Sequence, residues 1–270
     1  MLRITEQDSL YRDLDQKSVH DLLREINAED RKVALAVADA LPQIEAFVTA
    51  LVPRMQAGGR LFYIGAGTSG RLGVLDASEI PPTFGMPPGR VIGLIAGGDS
   101  ALRRSVEKAE DDVEAGWKDL LPFTPSSNDS LVGIAASGTT PYVVGTLTAA
   151  RKHGLMTAAI TSNPGSPLSL AAQFAIETVV GPEYVTGSSR MKSGTAQKMV
   201  LNMISTTVMI RLGRVQGSRM VNMQLSNDKL IDRGTRMIAE ALGLSYQEAR
   251  RRLLAEGSVA AALRHEPPGD

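Results

Sequence analysis

Apolar residues in the first fifth of the chain recur at steps of three or four, the period of an α-helix. Between residues 18 and 57, one apolar stripe consists of Val33, Val37, Leu41, Ile44, Val48, Leu51 and Met55. This stripe predicts a helical segment that buries one face. We expect a helix to start at Asn27, which has an acidic residue three positions on, and a kink or restart at Pro42. The glycine pair beginning at Gly58 ends the segment.

From residue 60 onward, short apolar runs alternate with helical stretches. The runs are Leu61–Ile64, Val91–Ile95, Leu131–Ala135, Thr157–Thr161 and Ile176–Val180. Runs that are apolar on both faces are typical of buried parallel strands. The intervening helices include Ser100–Trp117 and Pro141–His153, the second with proline in its first turn and glycine just after its end. The alternation predicts βαβ units and a doubly wound α/β sheet sandwiched by helices.

The last third of the chain has a helical pattern. The predicted helices are Lys192–Leu212, Asn227–Leu242, Tyr246–Ala255 and Val259–Leu263, and the terminal HEPPGD is expected to fray. We therefore expect three regions: an N-terminal helical segment at 1–57, a ligand-binding core at 58–220 and a small helical region at 221–270.

Composition excludes several classes of function. The 270 residues include no cysteine, so disulfides, iron–sulfur clusters and cysteine nucleophiles are excluded. The 29 basic residues balance 29 acidic ones without a basic block, which argues against a nucleic-acid partner. The polar first residues do not resemble a signal peptide, and no run of about 18 apolar residues would span a membrane. We expect a cytoplasmic protein with no membrane partner.

Ligands of open α/β sheets bind at the carboxyl ends of the strands, so the loops after the strands are the candidate site. The first loop, Gly65 to Gly70, fits the dinucleotide fingerprint G-x-G-x-x-G. The acidic residue that should hold a ribose is missing from the end of the second strand, where Asp99 comes too late. A dinucleotide is therefore not favoured, and the lack of a G-x-x-x-x-G-K-[ST] loop argues against an ATPase.

Glycine together with small hydroxyl residues recurs in three of these loops. The candidate phosphate and substrate residues are Gly67, Thr68, Ser69, Ser137, Gly138, Thr139, Thr140, Ser188, Ser189, Arg190 and Lys192. Backbone N–H groups at helix starts favour an anion, and small side chains let a phosphate approach closely. A single such loop would be an ordinary turn or helix cap, but three at one sheet edge predict a site for a phosphorylated small molecule.

Two carboxylates complete the set of candidates. Glu79 follows the first loop and precedes two prolines, which constrain its backbone. Glu110 lies in an acidic stretch after the second strand, and on its own this pattern is typical of a solvated helix face. The three histidines show no metal-ligand spacing, so the sequence implies no metal.

Several long strings resemble the N-acetylmuramic acid 6-phosphate etherases. They run from Tyr63 to Glu79 (YIGAGTSGRLGVLDASE) and from Thr186 to Lys198 (TGSSRMKSGTAQK), with IAGG, ASGTTPY, TSNP and Asn222-Met223 in the same order. The resemblance covers about residues 26–232. The chain departs from the family at Ile80, where many members have cysteine, and its carboxyl-terminal region looks shorter than in many members.

The resemblance implies a sugar isomerase (SIS) fold that binds phosphosugars and a homodimer with sites near the subunit interface. It implies cleavage of the D-lactyl ether of N-acetylmuramic acid 6-phosphate, giving N-acetylglucosamine 6-phosphate and D-lactate, without a metal or redox cofactor. Glu79 matches the family's acid, and Glu110 matches its second catalytic carboxylate. Two alternatives stay open: a sugar phosphate isomerase of the same fold, and a non-catalytic phosphosugar sensor.

Overall fold

The computed structural model describes residues 3–106, 108–225 and 227–264, which form two compact units. The first unit comprises the described residues up to 78 together with 91–206, and the second comprises 79–90 and 207–264. The expected tail, HEPPGD, lies outside the described residues. Because residues 79–90 group with the C-terminal helices, each unit is built from two separate stretches of the chain.

The first unit begins with three helices rather than one continuous helical segment. They are α1 (Val19–Asp30), α2 (Val33–Asp39) and α3 (Leu41–Gln56). The expected start at Asn27 is wrong, because Ser18 caps α1 by accepting a hydrogen bond from the Asp21 N–H. The expected restart at Pro42 is confirmed, since proline occupies the first turn of α3, where a missing N–H costs nothing.

The core of the first unit is a five-stranded sheet in which every pairing is parallel. Its strands are β1 (Leu61–Gly65), β2 (Val91–Ile95), β3 (Ser130–Ile134), β4 (Met156–Thr161) and β5 (Phe174–Glu177). The spatial order is β2-β1-β3-β4-β5. The expected doubly wound sheet is confirmed, and four of the five strands lie within one or two residues of their predicted bounds.

The fifth strand is the exception. It was expected at Ile176–Val180 but lies at Phe174–Glu177, paired with the last residues of β4. Phe174 pairs with Ala158 of β4 and packs on Phe47 of α3 at a ring distance of 5.7 Å, so the two apolar residues before Ile176 also belong to the strand.

Helices flank the sheet, and the strand side chains alternate between its faces. The helices in chain order are α4 (Gly67–Phe84), α5 (Ser100–Arg103), α6 (Ala115–Leu120), α7 (Pro141–Lys152), α8 (Pro167–Ala171) and α9 (Lys192–Arg211). Phe62 and Ile64 join the buried cluster that contains Leu147 of α7. Tyr63 faces the other way, where a Cβ on Gly73 of α4 would lie 3.0 Å from the Tyr63 Cβ. The sheet is therefore covered on both faces.

The second unit is mainly helical. It contains the short antiparallel pair β6 (Val215–Gln216) and β7 (Arg219–Met220), followed by α10 (Asp228–Leu242), α11 (Tyr246–Glu256) and α12 (Val259–Arg264). The expected C-terminal helices are confirmed. Their shared core includes Met237, Ile238 and Leu253.

No single helix among the described residues is long and apolar enough to cross a bilayer. The segments 19–39 and 41–56, which meet at a bend of 53°, would reach that length and apolarity only as a pair.

The sheet core predicts a measurable contrast between two leucines. Leu147 is fully buried between α7 and the sheet, whereas Leu170 of α8 is 74% exposed. We expect Leu147→Ala to lower the free energy of unfolding by about 2–5 kcal/mol, through lost burial and the cavity left behind. The control Leu170→Ala should change it by less than about 0.5 kcal/mol. Urea denaturation measures both, and equal effects would contradict the assigned packing.

Candidate active site

The strand order indicates where on the sheet a ligand is expected to bind. The chain runs from β1 to β2 in one direction and continues from β3 to β5 in the other, so the order reverses between β1 and β3. In doubly wound sheets the crevice at the carboxyl ends of such a pair is the usual ligand site. The loops that contain Gly67 and Ser137 follow these two strands.

The glycines of the first loop let α4 start in direct contact with the sheet. A Cβ on Gly65 would lie 2.6 Å from the Gly70 nitrogen, and one on Gly70 would lie 2.7 Å from the Gly65 oxygen. Gly67 has a φ of +53°, and a Cβ there would meet open space. The first and last glycines of the motif therefore serve close packing, whereas Gly67 leaves room for a ligand.

The first turn of α4 presents free backbone donors. Gly70 is the first residue whose N–H bonds back along the chain, to the Ala66 oxygen at 3.2 Å. No acceptor among the described residues bonds the N–H groups of Gly67, Thr68 or Ser69. These donors and the positive end of the helix dipole can hold an anion.

The Ser69 hydroxyl is held by a residue that sequence reasoning did not single out. It donates to Gln197 Oε1 of α9 at 2.9 Å, and both side chains are buried. Burial leaves Gln197 Nε2 without a hydrogen-bond partner among the described residues. Gln197 was visible in sequence only as part of the string that ends at Lys198.

The second loop, at 137–140, is fixed by turns and by a buried asparagine. Ser137 Oγ accepts hydrogen bonds from the Thr139 N–H and hydroxyl, each at 3.2 Å. Gly138 has a φ of +67°, and a Cβ there would collide with Ser166. Asn163 Nδ2 donates to the Ser137 carbonyl at 3.1 Å and to Thr5 Oγ1 at 2.9 Å.

The same Asn163 connects the loop to the start of the chain. Its Oδ1 accepts from the Ile4 N–H at 2.6 Å and, at 3.4 Å, from the Thr5 N–H. A turn near the N-terminus thereby supports the second loop, a role that nothing in the sequence pattern indicated.

The third loop converges on the first. A Cβ on Gly194 would lie 3.5 Å from Thr68 Cγ2 and 3.6 Å from the Ser189 oxygen. Ser188 and Ser189 are half-buried, and Arg190 is exposed. The structure therefore brings predicted residues of these two loops together at the carboxyl edge of the sheet.

The start of α9 is already occupied by a protein carboxylate. The fully buried Glu183 accepts hydrogen bonds from the Lys192 and Ser193 N–H groups, each at 2.9 Å. An anion at this end would compete with Glu183, whereas no side chain in the described part of the chain caps the first turn of α4.

Lys192 is likewise engaged inside the protein. Its ammonium lies 2.6 Å from Glu29 Oε2 of α1, and both side chains are 2% exposed. Lys32 and the Tyr11 hydroxyl bond the other oxygen of Glu29. The ion pair differs from the expected role of Lys192 in holding substrate, because its ammonium is already paired with Glu29 in the interior.

The hydrogen bonds also set the protonation of Glu29. Burial would raise its pKa, but the hydrogen bonds from Lys192, Lys32 and Tyr11 outweigh burial and lower the pKa from 4.5 to about 2. The carboxylate therefore stays charged and pairs with Lys192 over the ordinary pH range.

Glu110 lines a polar cavity of about 350 Å³ at the ends of β1 and β2. The cavity is lined by Ala66, Gly67, Arg71, Ala96, Ala101, Ser105, Val106, Lys108 and Glu110. Glu110 is exposed, and its carbonyl accepts a hydrogen bond from the Tyr142 N–H at the start of α7, at 3.0 Å. Glu110 therefore lines the same cavity as Gly67 of the first loop.

The expected helix at Ser100–Trp117 is wrong. The short α5 ends where Arg104 becomes extended, and Lys108 has a φ of +65°, so 104–106 and 108–114 are irregular before the start of α6. Glu110 therefore lies in a loop that lines a cavity rather than on a solvated helix face.

Glu79 lies in the second unit. It is an exposed residue near the end of α4, and the prolines at 81 and 82 occupy the last turn of the same helix. Its role stays a prediction from its place in the sequence string.

Two other observations bear on the candidate chemistry. Among residues 3–106, 108–225 and 227–264, no group of three or more acidic, histidine or cysteine side chains could hold a metal ion.

A larger cavity, of about 680 Å³, lies between α6 and α7, but its lining includes the apolar Val113, Trp117 and Leu121 and lacks both predicted catalytic carboxylates.

The buried pair predicts a pH-dependent loss of stability. Glu29→Gln leaves the Lys192 charge buried without its partner, so we expect a loss of about 3–5 kcal/mol at pH 7. The folded-state pKa of Glu29 is the lower one, so its contribution is complete above about pH 4.5 and is lost as pH falls toward 2. The difference between wild type and variant should shrink over that window in urea denaturation. Glu45→Gln, at an exposed position of α3, is the control.

Comparisons with known proteins agree with the geometry. The sequence matches the SIS domain family over residues 122–207 and the N-terminal SIS domain of glucokinase regulatory protein over 43–151. Phosphoheptose isomerases from Francisella tularensis and Neisseria gonorrhoeae share the fold, with TM-scores of 0.58 and 0.53. They are 16% and 14% identical to this chain, and each match covers 71% of this chain and 98% of the other.

Much closer in sequence are proteins named N-acetylmuramic acid 6-phosphate etherase. The one from Bacteroides thetaiotaomicron is 67% identical over 97% of this chain and 95% of its own length. The one from Porphyromonas gingivalis strain ATCC 33277 is 66% identical over 98% of both chains. At this identity and coverage, the chain belongs to the N-acetylmuramic acid 6-phosphate etherase family, built on an SIS fold.

Proposed function

We propose that this protein cleaves the D-lactyl ether of N-acetylmuramic acid 6-phosphate, giving N-acetylglucosamine 6-phosphate and D-lactate. One observation carries the proposal: in a chain 67% identical to a named etherase, Gly67 at the open start of α4 and Glu110 line the same cavity. An anion-binding helix start and a base in one cavity are what a phosphosugar reaction requires.

The phosphate binds at the first turn of α4. The free N–H groups of Gly67, Thr68 and Ser69 face the anion, and hydroxyls and N–H groups from the second loop, Ser137 to Thr140, complete the site. Ser188, Ser189 and Arg190 complete the sugar site or reach the neighbouring subunit. Lys192 acts indirectly, by fixing the start of α9 through Glu29. Binding energy from the unreacting phosphate holds the reacting carbons in place.

The chemistry needs one base and one acid. Opening of the sugar ring exposes an aldehyde at C1, which makes the proton on C2 acidic. A carboxylate removes that proton, the bond between C3 and the ether oxygen breaks, and an acid protonates the departing oxygen of lactate. Water then adds to C3 of the unsaturated aldehyde, and a proton returns to C2, so the net reaction consumes one water.

Glu110 removes and returns the C2 proton, and Glu79 protonates the leaving lactate and then activates water. The cavity geometry supports the role of Glu110. The role of Glu79 is supported by its place at the end of the string that begins at Tyr63. Two carboxyl groups in opposite protonation states suffice, so the reaction calls for no metal or redox cofactor.

The cellular setting follows from the substrate. A phosphosugar dianion does not cross a bilayer unaided, so its consumer works on the side where it is phosphorylated, and we infer a cytoplasmic enzyme of peptidoglycan amino-sugar catabolism and recycling. We also infer a homodimer with sites near the subunit interface and no nucleic-acid or membrane partner. Val113 and Leu121 are apolar and about half exposed. Exposed apolar surface of this kind supports the inference that a second subunit covers it.

The catalytic roles are tested by removing each charge without changing its shape. Glu110→Gln and Glu79→Gln should each lower the turnover number for D-lactate release by at least about 10²-fold, because proton transfer is lost. A coupled D-lactate dehydrogenase assay measures the rate, with Glu114→Gln, an exposed neighbour, as control. Near-normal turnover in either variant would remove that residue from the mechanism.

Absence of D-lactate release by the wild-type protein would favour one of two alternatives, an isomerase or a sensor. A sugar phosphate isomerase would form a ketose and release no lactate, and a sensor would bind the phosphosugar without turnover. Either outcome would overturn the etherase proposal.

The phosphate anchor is tested with a matched pair of substrates. Unphosphorylated N-acetylmuramic acid should react with a kcat/KM at least about 10²-fold lower, since it lacks the charge-assisted hydrogen bonds at α4. Steady-state lactate assays on the two sugars make the comparison. Comparable rates would refute the anchor.

A further inference from the structure

Two cations in the polar cavity have no role in the mechanism above. Arg71 and Lys108 line it beside Glu110. Among the described residues, no carboxylate lies within 4 Å of either cation. Two positive groups therefore share a cavity with one negative group, and their charge is not met by a salt bridge within the described part of the chain.

The Arg71 side chain is held in place while its outer nitrogens stay available. Its Nε donates to the Leu102 carbonyl at 3.1 Å, which ties the guanidinium to the loop after β2. No acceptor among the described residues bonds its two terminal nitrogens. A guanidinium fixed at one nitrogen presents the others as a planar fork, the geometry that matches a carboxylate.

The backbone of Lys108 adds a second, independent observation. Its φ of +65° lies in the left-handed region, which residues with a Cβ seldom adopt. The turn is closed by a hydrogen bond from the Asp111 N–H to the Lys108 carbonyl at 3.1 Å. Unfavourable backbone conformations of this kind cluster at ligand sites.

The position of Arg71 relates it to the phosphate site. Arg71 lies four residues after Gly67 on α4, so the two share a face of the helix and lie about 6 Å apart along it. A ligand with its phosphate on the first turn of α4 would therefore bring a second anionic group toward Arg71. The substrate of the proposed reaction has one such group, the carboxylate of its lactyl ether.

We propose that Arg71 and Lys108 form a carboxylate subsite that binds the lactyl group and selects lactyl ethers over other phosphosugars. This inference rests on the proposed function and deepens it. With the carboxylate held beside Glu110, the ether carbon C3 and its neighbour C2 are kept near the base. N-acetylglucosamine 6-phosphate, which lacks the carboxylate, gains nothing from the subsite and leaves more readily.

The test compares two phosphosugars that differ in the lactyl group. In Arg71→Gln and Lys108→Gln, the KM for N-acetylmuramic acid 6-phosphate should rise about 10- to 100-fold, the value of a charge-assisted hydrogen bond. The inhibition constant of N-acetylglucosamine 6-phosphate should stay within about twofold. Arg103→Gln, an exposed neighbour that does not line the cavity, is the matched control and should change neither constant.

Three results would overturn a subsite in which Lys108 and the planar fork of Arg71 bind the lactyl carboxylate. A parallel rise in both constants would place these cations on the phosphate, and unchanged constants in both variants would remove them from binding. A KM in Arg71→Lys equal to that of wild type would exclude recognition by the planar fork. Because Lys108 is exposed, Lys108→Gln tests the proposal even if Arg71→Gln folds poorly.

Failure of the proposed function can be distinguished from failure of the carboxylate subsite. If wild type releases no lactate, the etherase proposal fails, and calorimetric titration of the two phosphosugars then tests the subsite alone. A preference for the lactyl sugar that disappears in Arg71→Gln and Lys108→Gln would support the subsite. No preference in wild type would overturn it.

Discussion

The close approach between Gly65 and Gly70 is the constraint on which the site depends. With no Cβ on either residue, the first turn of α4 contacts the end of β1, and a methyl group there would lie within 2.7 Å of backbone atoms. The approach directs the free N–H groups of α4 toward the crevice where the strand order reverses. The donors are thereby arranged during folding, and binding an anion requires little reorganisation.

The helices around the site also differ in whether the N–H groups of their first turn are bonded within the protein. The buried carboxylate of Glu183 fills the start of α9, and the N–H of Tyr142 at the start of α7 is bonded to the Glu110 carbonyl. Of these three helices, only α4 has several N–H groups in its first turn that no acceptor among the described residues bonds. If a phosphate binds at α4 as proposed, its position is selected as much by the two closed helix starts as by the open one.

The sequence predicted the strands well because their apolar runs are bounded by glycine and turn residues, as at Val91–Ile95. It failed between α5 and α6, where helical spacing was overridden by the extended Arg104 and the left-handed Lys108. The candidate loops could be predicted because glycine and hydroxyl residues have distinctive local patterns, and their role in binding stays a prediction. Lys192, Gln197 and Asn163 act through partners that are distant in sequence, such as Glu29, and no local pattern encodes such pairings.

The side chain of Asn163 connects the second loop to the beginning of the chain by hydrogen bonds. Its side chain bonds the Ser137 carbonyl on one side and the Ile4 N–H and Thr5 hydroxyl on the other. The Ile4 amide can exchange its hydrogen with solvent only when the bond to Asn163 opens. Hydrogen exchange at a single amide near the N-terminus therefore reports how firmly the 137–140 loop is held, and ligand occupancy of that loop becomes visible far away in sequence.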